Sequence, residues 1–139
     1  MAIQFNVATR NARLDAIEST NGTSCSLEIR TGAPPATCAT AGSGTILATI
    51  NLPTDWMAAA SGGSKAIAGT WQDASADNTG TAGHFRLYSS QATKDNTTCF
   101  MQGTVTITGG GGDMTVDNTS FAAAQVFNVT GFTLTDGNA

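Results

Sequence analysis

Few side chains in this 139-residue chain could carry acid–base, nucleophilic or metal chemistry, and most of them fall between Leu52 and Ser89. That stretch holds both tryptophans, Trp56 and Trp71, the only histidine, His84, the only tyrosine, Tyr88, and the aspartates Asp73 and Asp77. Imidazole is the side chain that titrates near neutrality unaided, but a hydrolytic centre also needs an activated serine or cysteine beside it. No Gly-x-Ser-x-Gly elbow occurs, and Gly42-Ser-Gly lacks the frame. Asp73 and Asp77, with Ser75, Asn78 and Thr79 around them, could offer oxygens to calcium. That ion takes about six to eight in a defined loop pattern, which is missing, whereas Asx-rich segments of this kind make turns. Gly109 to Gly112 lack the Lys and Ser/Thr of a phosphate cradle. Trp56, Trp71 and Tyr88 could stack on sugars, or the tryptophans could serve as core and interface anchors.

Composition narrows the classes further. Only 12% of residues are charged, about half the usual share, so hydroxyls and amides solubilise the surface and little charge must be desolvated at a contact. Six Lys and Arg stand against ten Asp and Glu, a net charge of −4. The one close basic pair, Arg10 and Arg13, is flanked by Asp15 and Glu18. Nucleic acid, which needs clustered cations, is not an expected partner. No basic run leads into an apolar core at the start, and no apolar run reaches the ~20 residues of a bilayer span. A protein made in a cytoplasm, with no membrane partner, is expected. Cys25, Cys38 and Cys99 have neither CxxC spacing nor a supporting histidine, so no zinc site and no cofactor is expected. Two readings of the cysteines stand: buried thiols acting as small hydrophobes, or a Cys38–Cys99 bridge formed after release from the cell.

The periodicities predict the elements that position these residues. Ala8 to Glu18 reads as a helix, N-capped by Asn6 and stopped at Asn21-Gly22, with Val7, Leu14 and Ile17 able to share a face. Ile3, Phe5 and Val7 alternate before it as an extended arm would. From Ser24 the period becomes two: Cys25, Leu27 and Ile29 alternate with Ser26, Glu28 and Arg30. A long loop, Thr31 to Gly44, interrupted by Pro34 and Pro35, precedes a strand from Ile46 to Leu52. Strands follow at Ile67–Trp71 and His84–Tyr88. Trp71, Phe85 and Leu87 face the core of an expected hairpin turned at Asp73–Gly80, and His84, Arg86 and Tyr88 face solvent or a neighbour. Cys99–Ile107 and Met114–Val116 read as a second hairpin with a glycine tip. Val126–Leu134 changes parity at Gly131, as at a bulge. The expected fold is mainly β: one domain over residues 1–139, with an arm and one short helix in 1–20 and a β-sandwich or jelly-roll-like barrel in 24–134.

Several stretches carry a resemblance: ATRNARLDAIEST, LEIRTGAPPATC, ATINLPTDWMAAASGG, GTWQDASADNTGTAGHFRLYSS and GFTLTDGNA. Together they cover nearly the whole chain, which resembles a family of small tailed-bacteriophage structural proteins. The resemblance rests on texture and segment order. It maps no active-site residue, and it implies a non-enzymatic virion component, foremost a capsid decoration (cement) protein that binds the major capsid protein as a dimer or trimer. The expected contact residues are Ile3, Phe5, Val7, Arg10, Arg13, Pro34, Pro35, Trp56, His84, Arg86 and Tyr88. A neck, tail or fibre protein and a glycan-binding module are the alternatives.

Overall fold

The computed structural model describes residues 3–137; Met1 and Ala2 of the expected arm lie outside them. Helix α1 (Val7–Asn21) is three residues longer at its C-terminal end than expected, with the expected caps. Asn6 Oδ1 accepts a hydrogen bond from the Thr9 N–H at 2.8 Å, and Gly22, at φ 78°, donates its N–H to Glu18 O. Nine strands follow among the described residues: β1 (Ser26–Thr31), β2 (Ile46–Asn51), β3 (Ser64–Ala66), β4 (Gln72–Asp73), β5 (Gly80–Tyr88), β6 (Cys99–Ile107), β7 (Met114–Val116), β8 (Ser120–Phe121) and β9 (Phe127–Thr135). They form one curled mixed sheet, a half-barrel, in the order β2-β1-β5-β6-β7-β9-β3, with β4 on β9 and β8 on β5.

Both expected hairpins fail. Trp71 does not lie on a strand paired with β5; the next two residues, Gln72 and Asp73, pair with Asn128 and Phe127 of β9. The turn after them serves another purpose. Strand β2 is the end of the sheet, with unpaired backbone groups along its outer edge, and the 73–78 segment occupies that edge. Asp73 Oδ2 accepts the Thr49 N–H at 3.1 Å and Asp77 Oδ2 the Thr49 hydroxyl at 3.0 Å. The Asp77 N–H donates to Leu47 O at 2.7 Å. The two aspartates that resembled a metal or catalytic pair therefore tie the β2 edge to the segment that begins with β4, which itself pairs with β9.

The second expected hairpin is a parallel pair, Val105 with Met114 through Ile107 with Val116. The chain doubles back along β6 before advancing again, which requires left-handed backbone at Gly109 and Gly111. Asp113 Oδ2 fixes the return by accepting the Thr104 N–H at 2.8 Å and its hydroxyl at 2.7 Å. The expected bulge is present: Thr115 pairs with Gly131 and Val116 with Val129, so Phe132 and Val129, of opposite parity, both reach the core.

Inside the curl a run of aromatic rings, Phe100–Trp56–Trp71–Phe132–Phe85, passes through centroid spacings of 5.8, 6.3, 5.8 and 5.4 Å. Trp56 is wholly buried and donates its indole N–H to Gly22 O at 3.1 Å, tying the core to the end of α1. The helix itself buries only Leu14 fully, with Ile17 partly covered and Val7 exposed. A polar stripe at helical spacing docks it instead. Asn11, Asp15 and Glu18 accept the N–H groups of Gly63, Ala60 and Met57 at 2.8, 2.9 and 3.0 Å. Lys65, 2% exposed, lies between them at 2.8 Å from Asp15 and 3.0 Å from Glu18. Burial alone would lower the lysine's pKa, but the two carboxylates outweigh it and hold the ammonium above its ordinary value.

Strand β5 is buried from Gly83's neighbour His84 through Tyr88, on both faces. Its inner face meets the aromatic core. Its outer face meets the segment between β1 and β2, which turns so closely at Gly83 that any Cβ there would overlap the Gly32 carbonyl. Gly83→Ala is expected to lower the unfolding free energy by about 1–3 kcal/mol in a urea titration. An unchanged midpoint would mean that the segment does not seat there.

Candidate functional site

Antiparallel pairing places Arg30 beside His84, Glu28 beside Arg86 and Ser26 beside Tyr88, and β6 adds Gln102 beside Arg86. These side chains share the outer face of the sheet, the face that alternation assigned to solvent or a partner. That assignment is overturned. Ser26, Glu28, Arg30, His84, Arg86 and Tyr88 are all buried, Arg86 at 0% exposure, because the loop from Gly32 to Thr45 folds back over them.

Charge and backbone polarity hold the loop down. Glu28 Oε2 accepts from Arg30 Nη2 at 2.8 Å, Arg30 Nε at 2.9 Å and the Tyr88 hydroxyl at 2.9 Å. Burial, followed by the Glu28 carboxylate, pushes the Tyr88 phenol well above its ordinary range and keeps it a donor. The remaining arginine donors reach loop carbonyls: Arg30 Nη1 to Ser43 O at 3.2 Å, Arg86 Nη1 to Thr40 O at 3.0 Å and Arg86 Nη2 to Cys38 O at 2.6 Å. Arg86 also lies 5.8 Å from the Tyr88 ring and donates its Nε–H to Cys99 Sγ at 3.2 Å. Gln102 Nε2 donates to Pro35 O. The loop contains no charged residue, and its carbonyls would otherwise lack partners against the sheet.

His84 is set the same way. Its Nδ1 lies 2.9 Å from Gly32 O, so Nδ1 carries the proton and donates. Nε2 is buried without a partner. Burial first, opposed by the Gly32 bond, and then the Arg30 and Arg86 charges, depress its pKa. No serine or cysteine is hydrogen-bonded to it, so the ring is a neutral spacer beneath the loop.

The other expected contact residues divide. Trp56 and Tyr88 are buried, as is Trp71, so no face of these rings is open for stacking on a glycan. Arg10 donates to Asp136 O and Arg13 pairs with the Asp136 carboxylate at 3.2 Å, joining α1 to the segment after β9. Pro34 and Pro35 lie half-buried in the loop. Cys38 and Cys99 are unbonded thiols, both half-buried. The expected extended arm ends before Val7, which opens α1; Ile3, Phe5 and Val7 are 80%, 41% and 49% exposed, with Phe5 lying 5.0 Å from the Arg13 guanidinium. Beside Arg13, a groove of about 410 Å³ between α1 and β6 is lined by Ala16, Ile17, Phe100 and Met101. Among the described residues no cluster of three or more His, Cys, Asp or Glu could hold a metal, and no helix is long and apolar enough to cross a membrane.

Two measurements check the buried face. Glu28→Ala strands Arg30 and Tyr88 and is expected to cost about 3–5 kcal/mol of stability. His84 binds a proton less readily folded than unfolded. Its contribution is therefore present above the unfolded pKa of about 6.5 and is lost as pH falls towards the depressed folded value. Urea titrations should show stability declining between pH 7.5 and 5.5, by at most about 1.4 kcal/mol per pH unit, with a flatter dependence in His84→Gln. Equal slopes would remove His84 as the cause.

The chain matches no protein-family model, no curated protein and no solved structure, so any functional reading rests on its own residues.

Proposed function

We propose that this chain is a bacteriophage virion structural protein, a capsid decoration protein that binds the shell of the major capsid protein, is made in the host bacterial cytoplasm and acts as a homo-oligomer. The observation that supports it most is where apolar surface is left over. The large side chains able to do chemistry are engaged inside the chain, whereas Ile3 and Phe5, before α1, and Val7, its first residue, present exposed apolar surface. Such surface gains buried area by lying on another subunit, and on a repeating lattice even a weak contact is multiplied by valency. The charge-poor surface supports the same reading, since little charge must be desolvated when copies pack against a shell. A jelly-roll-like closure of the curled sheet is the architecture we propose with it, on the strength of the seam at Asp73 and Asp77.

Removing residues 1–5 leaves the Asn6 cap in place and is expected to change stability by less than about 0.5 kcal/mol, while binding to purified capsids falls at least about tenfold. Undiminished binding by the shortened chain would overturn the role of the arm. Cryo-electron microscopy of the particle tests the location. Copies spread over the shell support decoration, and copies confined to a neck, tail or fibre overturn it.

A further inference from the structure

Arg86 brings two cysteines together from segments far apart in sequence. Its Nη2–H donates to Cys38 O at 2.6 Å and its Nε–H to Cys99 Sγ at 3.2 Å. Burial first, and then the neighbouring Cys99 sulfur, hold the Cys38 thiol above its ordinary pKa. One belongs to the loop that covers the charged face, the other begins β6 beneath it. Both are half-buried and unbonded, within reach of a small solute. The third cysteine is placed differently. Cys25 is fully buried, its thiol faces Gly22 O at 3.4 Å, and burial together with the Glu18 charge pushes it up to about 11.

We propose that Cys38 and Cys99 are a disulfide-forming pair, and that their oxidation staples the 32–45 loop to β6 and seals the buried charged face. The inference stands apart from any virion role, because it needs only the loop, the strand and Arg86. The oxidant is a small-molecule disulfide such as oxidised glutathione. One cysteine, as thiolate, attacks a sulfur of that disulfide, breaking its S–S bond and expelling one glutathione thiolate. The second cysteine, as thiolate, attacks the protein sulfur of the mixed disulfide and expels the other. Two electrons pass to the external disulfide, and the two protons from the cysteines end on the two glutathione thiols. Cys38 and Cys99 are joined through a single S–S bond, and the long chain between them becomes a closed loop that restricts the unfolded state. In a reducing cytoplasm the pair stays open; outside it, the pair closes.

The test uses the full-length protein incubated with oxidised glutathione. The expected product has lost two hydrogens by intact mass, yields one Cys38–Cys99 crosslinked peptide and leaves Cys25 alkylatable only after unfolding. Its Tm rises on the order of 5–10 °C, and dithiothreitol reverses the rise. Cys38→Ser and Cys99→Ser abolish the shift, and Cys25→Ser retains it. Three alkylatable thiols, a persistent glutathione adduct, a bridge through Cys25, or a crosslink without a Tm rise would each overturn the proposal. The wild-type mass and peptide map decide the matter even where a serine variant fails to fold.

Discussion

A guanidinium with no exposure to water must find all its hydrogen bonds in protein, and Arg86 organises the structure on those terms. Desolvating it costs several kcal/mol unless each donor is matched. The matches come from the loop backbone at Cys38 and Thr40 and from the Cys99 sulfur, with the Tyr88 ring beside them. Once the loop is down for Arg86, Arg30 can reach Ser43 and Glu28 together, and Tyr88 completes the carboxylate. The glycine at position 83 follows from the same closeness. The outer face of the sheet is thus a second, polar core, assembled around cations where the inner one is assembled around rings.

Charge elsewhere is also engaged within the chain. Each of the six basic residues has a partner within the chain: Arg10 and Arg13 at Asp136, Arg30 at Glu28, Lys65 at Asp15 and Glu18, Arg86 at loop carbonyls and Lys94 at Gln91 O. A low charge content therefore coexists with a high share of structural charge. The helix shows why this works. Its apolar face is too small to dock it, and Asn11, Asp15 and Glu18 instead supply acceptors to a connector whose N–H groups have no ladder partner. The Asp15 and Glu18 bonds are charge-assisted, and the Asn11 bond is that of a neutral amide.

Local chemistry was readable where the chain decides locally. The Asn6 and Gly22 caps, the alternation of β1 and β5, the parity change at Gly131 and the mainly β class all follow from neighbouring residues. Pairing across the chain was not readable. Nothing in Trp71–Asp73 distinguishes β9 from β5 as a partner, and a glycine run between two apolar segments reads as a hairpin even when the backbone doubles back to run parallel. The buried polar face was missed for a more instructive reason. Polar alternation signals a solvated side only if nothing covers it, and here the uncharged loop between β1 and β2 folds back over β1, β5 and β6. Ser26-x-Glu28-x-Arg30, leading into such a loop, and His84-x-Arg86-x-Tyr88, with ionisable side chains at the same alternation, were the available signal.

The seam made by Asp73 and Asp77 has a counterpart at the other end of the sheet. There the chain before β3 folds against it, Ala58 donating to Ala66 O and Ala68 to Trp56 O. Neither terminal strand offers an open row of amides and carbonyls to a foreign chain. Copies of such a protein can be crowded side by side without recruiting one another into extended fibrils, and their association is left to whatever side chains project from the surface.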